Sequence, residues 1–197
     1  MNKVKLVIAL VMIIIGVVGR FILVSYAGIP NLEIITVLAL IAGIYLGGVY
    51  AVAVPLSVIF LSDLVIGNTY IFIFTWTAFA MIGLFGYASR RIQNSKLTGG
   101  NALGRKIQNS LYLALLSSVF FYIYTNFGWW LMSGMYEYSL SGILRCYYMA
   151  IPFFRNNLVG NLIFVPVGIY VASKVFCNIE SYNISKILLQ EKKVFRD

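Results

Sequence analysis

The chain has 197 residues, 61% of them hydrophobic and 11% charged, with a mean hydropathy of +0.90; soluble domains carry roughly a quarter charged residues, so the composition excludes a soluble domain and points to a polytopic membrane protein. There is no histidine, and Cys146 and Cys177 are the 2 cysteines, which removes histidine general bases, Cys/His zinc sites and a disulfide framework. The formal net charge of +9 would signal nucleic acid in a soluble protein; here its meaning depends on where the charges fall relative to a bilayer.

A spanning helix needs about 20 mostly apolar residues. The expected fold is all-α, a single transmembrane domain over residues 1–197 with six such helices. The first covers about 4–25. Lys3, Lys5, the apolar core and Ser25-Tyr26-Ala27 also fit a signal peptide, but the apolar run resumes after Arg20 and is long enough to span, so a retained helix is expected. The second and third cover about 33–48 and 50–66. They are split at Gly47-Gly48, because one helix through both would overshoot the bilayer. Pro55 then falls near the start of the third, where its missing N–H costs least. Ala39, Gly43, Gly47 and Ala51 recur every four residues. Such a stripe admits a close helix, either a neighbour in the bundle or a separate protein.

The fourth helix covers about 70–89, the fifth 107–127 and the sixth 155–177. The intervening GWWLMSGMYEYSLSGILRCYYMAIPFF, 128–154, is too apolar for an ordinary loop. It is expected to be a lid over a pocket, with a short interfacial helix near 139–151, or a segment lying in the headgroup layer. Residues 178–197 form a cytoplasmic tail, with a short surface helix whose Lys192 and Lys193 meet anionic headgroups.

With the N-terminus in the cytoplasm, twelve of the 15 basic residues fall inside, among them Arg90, Arg91, Lys96, Lys174, Lys186 and Arg196. Arg20, Arg145 and Arg155 fall outside. The bias predicts both termini cytoplasmic, and it accounts for the net charge without nucleic acid.

The outer half then gathers the polar residues. Arg20, Glu33 and Asp63 are ionisable groups in or near spans, where such groups default to a functional role. Snorkelling, helix-end solvation and structural ion pairs are their ordinary alternatives. Asn126 and Trp129 are three apart, and Asn157 and Asn161 four apart, so each pair shares a helix face. Since lipid-facing amides would waste their hydrogen bonds, both faces are expected to point inward. Asn31, Trp130 and Tyr147 complete the candidate substrate-binding set. Gly128 is expected to let the chain turn out of the fifth helix, and Trp129 and Trp130 to wall a ring, unless they form an interface belt.

The spaced pattern Arg20, Pro30-Asn31, Ala39-Leu40, Ala42-Gly43, Pro55-Leu56, Ser62-Asp63, SSVFFYIYTNFGWWL and CYYMAIPFFRNNLVGN resembles the DUF6580 type of six-helix membrane protein. That type looks similar to the substrate-binding S components of energy-coupling factor (ECF) vitamin transporters. The resemblance implies an S-component-like bundle in the cell membrane. It would capture a small molecule outside, with ATP hydrolysed by two ATPase subunits through a separate transmembrane coupling subunit. The chain itself has no phosphate loop, and neither cofactor nor metal is expected. Helix one offers Ala9, Gly16 and Gly19, not the four-spaced small residues at which S components dock. Amides, aromatics and mixed charge suit a planar, vitamin-like heterocycle. The alternatives are an autonomous secondary transporter or channel, and a membrane enzyme using Ser62-Asp63 or Cys146.

Overall fold

The structure, a computed structural model, describes residues 3–94 and 102–194. It contains six helices. Helix α1 (Lys3–Ile22) runs on as a π-helical turn, Leu23–Ala27, and α2 (Ile35–Ile41) as another, Ala42–Leu46. Then come α3 (Tyr50–Ile66), α4 (Phe72–Asn94), α5 (Ala102–Met132) and α6 (Leu140–Val194), with no strand among the described residues. Among the described residues, four segments are long and apolar enough to cross a bilayer: Lys3–Tyr26, Phe72–Arg90, Gly104–Met132 and Leu140–Ile179. Ile35–Leu46 and Tyr50–Ile66 are shorter. The chain is therefore a multi-pass membrane protein in which not every helix has full spanning length.

α2 is the shortest. Its 7 α-helical and 5 π-helical residues rise about 18 Å, against about 30 Å of hydrocarbon. It starts late because Asn31 takes a left-handed φ of 59° after Pro30, and because Glu33 turns back to accept the N–H of Thr36 at 2.9 Å. It ends at Leu46 because Gly47 and Gly48 adopt φ of 66° and 56°.

Short as it is, α2 is the centre of the bundle. Every residue from Ile35 to Ile41 is buried. α1, α3, α4, α5 and α6 follow one another around it, each touching the next except that α6 and α1 leave a seam. The four-spaced stripe faces α4. A Cβ on Gly43 would strike the Gly83 carbonyl and the Tyr87 backbone N–H; one on Gly83 would strike the Ala51 carbonyl, and one on Gly86 the backbone of Leu40. The partner for those small residues is thus inside the bundle. On α1, Gly16 gives the same freedom against Leu38 and Val58.

The ends of the bundle differ. At the N-terminal end, Lys5 Nζ donates to the Leu46 carbonyl at 2.7 Å, and Tyr45 stacks on Phe176 of α6 with ring centroids 4.8 Å apart. At the opposite, distal end, α5 and α6 rise together as a helical hairpin.

This hairpin replaces the lid expected over 128–154. Residues 128–132 finish α5, 140–154 begin α6, and only 133–139 connect them. Gly128 does not turn the chain; it is a buried helical position whose missing Cβ makes room for the Phe74 ring. The turn falls at Gly134, φ 68°, and is tied by Trp130 Nε1 donating to the Glu137 carbonyl at 3.0 Å and Tyr138 Oη to the Leu131 carbonyl at 2.9 Å. α6 then runs for 55 residues through Pro152 and Pro166, so the expected separate surface helix beyond 178 is a continuation of α6. Lys96 and Arg196, and the side chains of Arg91, Lys186, Lys192 and Lys193, lie outside the described residues.

Candidate ligand cavity

Since the central helix stops short, its longer neighbours enclose a space above its first residue. Arg20 marks the level, about 22 Å along α1 from Lys5. The space is a cavity of about 370 Å³. Its floor is Ile35 and one wall is the 28–33 connection; Arg20 and Val24 of α1 form another. Thr75 and Phe79 of α4, Phe121 of α5 and Asn157 of α6 close the remainder. The Phe79 and Phe121 rings lie 5.0 Å apart at 38°.

Two hydrogen-bonded assemblies hold the polar walls. In the first, Arg20 Nη1 donates to Ser62 Oγ and to Asp63 Oδ1. Ser62 can accept because its own hydroxyl donates to the Val58 carbonyl at 2.7 Å. Asp63 Oδ2 accepts from Trp76 Nε1 at 2.8 Å. The side chains of Arg20 and Asp63 are 19% and 7% exposed, so of the ordinary alternatives neither snorkelling of Arg20 nor helix-end solvation of Asp63 describes them, and the structural ion pair does. They form a largely buried ion pair between α1 and α3.

In the second, α6 clamps the connection between α1 and α2. Asn156 Nδ2 donates to the Pro30 carbonyl at 3.1 Å. Asn157 Nδ2 lies 3.5 Å from the Asn31 carbonyl and 3.4 Å from Glu33 Oε1. Behind it, Asn161 Nδ2 donates to Asn157 Oδ1 and to Ser118 Oγ, each at 3.0 Å. Glu33 thus both starts α2 and meets α6.

A family model, DUF6580, described as a family of unknown function, matches residues 1–177. The chain belongs to the DUF6580 family. No curated protein and no solved structure matches it. The DUF6580 match includes every residue of the cavity and stops before the last turns of α6.

Within this DUF6580 chain, Arg20, Asn31, Glu33 and Asn157 of the expected substrate-binding set meet at one cavity. Asp63 and Asn161 stand behind it, holding Arg20 and Asn157. Asn126 borders an adjoining niche of about 10 Å³, about the size of one water, and its Nδ2 donates to its own helix at the Tyr122 carbonyl, 2.7 Å away. Trp129, Trp130 and Tyr147 line neither space. Trp130 packs on Phe127 and Tyr138 in the hairpin. Tyr147 Oη donates to the Ile123 carbonyl while Tyr122 Oη donates to the Tyr147 carbonyl, each at 2.7 Å, which locks α5 to α6. The expectation for these aromatics fails because α5 continues past Gly128 and carries both indoles above the cavity. The rings that do wall it, Phe79 and Phe121, carry no sequence signal that separates them from core phenylalanines. Trp76 had one: an indole inside a span needs an acceptor, and Asp63 supplies it.

Proposed function

We propose that the protein is the membrane-embedded substrate-binding component of a small-molecule importer, of the S-component type found in ECF transporters. The observation that carries this reading is the cavity of about 370 Å³ above the shortened central helix, within the usual size range of small-ligand sites. Its two phenylalanine rings suit a flat, vitamin-like body, and Arg20, Asn31, Glu33 and Asn157 supply polar contacts around it. With both termini cytoplasmic, as the distribution of basic residues favours, the cavity would lie on the outer leaflet side of the cell membrane and take solute from outside. Uptake would then need a transmembrane coupling subunit and two ATPase subunits, since this chain carries no phosphate loop. An enzymatic role has less support. The Ser62 hydroxyl is committed to Val58, and Cys146 Sγ donates to the Asn126 carbonyl at 3.6 Å.

A secondary transporter is the second reading, favoured by one observation: Arg20, Asp63 and Glu33 are ionisable groups inside the bundle, which often mark ion or substrate pathways. One experiment separates the two. Purification in mild detergent from the native membrane, followed by reconstitution, is expected to retain ATPase subunits and to give concentrative uptake only with them and ATP. Gradient-driven uptake by this chain alone would overturn the S-component reading in favour of the carrier.

A further inference from the structure

We infer that the ligand is an organic cation with a single positive charge and that Glu33 is its seat. The inference rests on the cavity being a ligand site and names the class of ligand. It starts from a charge count. Three ionisable side chains surround the cavity: Arg20 and Glu33 in its wall and Asp63 directly behind Arg20. Arg20 and Asp63 form the one ion pair among the described residues and cancel. Asp63 has both oxygens engaged, by Arg20 and by Trp76, so the pair is complete before any ligand arrives. Glu33 is the charge left over. Its neighbours are uncharged: the Thr36 N–H at 2.9 Å, with the Thr36 hydroxyl and the Ile35 N–H beside it, and the Asn157 amide at a long 3.4 Å. The nearest other cation along α6 is Arg155, two residues from Asn157; it therefore points about 200° around the helix from it and is exposed. Among the described residues no protein cation pairs with Glu33, so a bound monocation would be the partner its carboxyl lacks.

The hydrogen bonding and the rings agree with the count. The donors around the Glu33 carboxyl, the Thr36 and Ile35 N–H groups, the Thr36 hydroxyl and the Asn157 amide, are all uncharged. The Asn31 carbonyl beside it meets only the distant Asn157 amide, 3.5 Å away. This end of the cavity thus offers a carboxyl and a weakly engaged carbonyl. Across it, Phe79 and Phe121 present aromatic rings, which attract organic cations through their π faces. A carboxylate, a spare carbonyl and two rings around one small space match a protonated amine or a cationic heterocycle better than an anion. A bare metal ion is a poor fit, as no cluster of three acidic, cysteine or histidine ligands exists among the described residues.

The test uses the full chain in nanodiscs of zwitterionic lipid, so that headgroups add no net charge. Three probes of similar size are titrated by calorimetry: phenethylammonium, 2-phenylethanol and phenylacetate. Phenethylammonium is expected to bind at least tenfold more tightly than the other two. In Glu33→Gln, which keeps an acceptor for the Thr36 N–H, that preference should fall to within about twofold. Asn31→Asp, tolerated at a left-handed φ, adds a second carboxylate beside the seat and should strengthen the preference. Should 2-phenylethanol or phenylacetate bind as well as the cation, the cavity is a ligand site but the charge assignment is wrong. Should the preference survive in Glu33→Gln, Glu33 is not the seat. Should none of the three bind, the cavity reading falls together with this inference.

Discussion

Trp76 and Arg20 approach Asp63 from opposite sides, the indole donating to Oδ2 and the guanidinium to Oδ1. Together they tie α1, α3 and α4 at one level of the bundle. The tie is an ion pair within a span, where each partner is tolerated because the other is present.

Removing one partner is therefore expected to cost more than removing both. Asp63→Ala leaves the guanidinium uncompensated and should destabilise by about 3–5 kcal/mol. The double variant Arg20→Met with Asp63→Leu should recover most of that loss. Reversible unfolding in mixed micelles measures both, and equal losses in the single and double variants would refute the pairing.

The α3–α4 contact leaves no room for a methyl group. Gly83→Ala would drive a Cβ into the Ala51 carbonyl, which is backbone and cannot rotate away. The expected loss is at or above the usual overpacking range of about 1–3 kcal/mol. Gly48→Ala meets open space and should cost only the left-handed backbone penalty, about 1–2 kcal/mol. Comparing their unfolding midpoints tests the contact; the reverse order would contradict it.

Ligand binding should depend on phenylalanine and not on tryptophan. Phe121→Ala removes a cavity wall and is expected to weaken phenethylammonium binding by tenfold or more, as a lost aromatic contact of about 1.5 kcal/mol would. Trp129→Ala should leave it within about twofold, because Trp129 lies outside the cavity lining. Titration of both variants decides the matter, and a larger effect at Trp129 would return the hairpin to the binding site.

Orientation can be read with single cysteines in a background lacking Cys146 and Cys177. Positions 49 and 135 are both exposed, Val49 at 69% and Met135 at 68%, and lie at opposite ends of the bundle. In intact cells an impermeant maleimide should label position 135 and leave position 49 untouched until the membrane is opened. Labelling at 49 alone would invert the topology.

Which parts of this molecule were legible in the sequence follows from the range of the interaction involved. The break at Gly47-Gly48 is local: two glycines at positive φ stop a helix wherever it sits. The stripe from Ala39 to Ala51 is also local, since small residues at spacing four leave a groove regardless of what fills it. The end of α5 was not legible. Gly128 looks like a helix stop until Phe74, from another helix, is found occupying the space of its absent side chain. The cavity divides in the same way. Asn157 and Asn161 share a face by spacing alone, and the structure stacks them by a 3.0 Å hydrogen bond. Phe79 and Phe121 become walls only because α2 begins late, and that start depends on a capping contact from Glu33 and on the α6 amides.

The shortness of α2 also makes the size of the chamber depend on one length. The surrounding helices can stay as they are while the floor moves, because α2 meets the cavity end-on at Ile35. Each turn of 3.6 residues added at that end would lift the floor by about 5.4 Å, and each turn removed would deepen the chamber by as much. Chains built on this plan could therefore be refitted to larger or smaller cargo by lengthening or shortening α2 at its Ile35 end, in steps of a helical turn, while the surrounding helices stay unchanged.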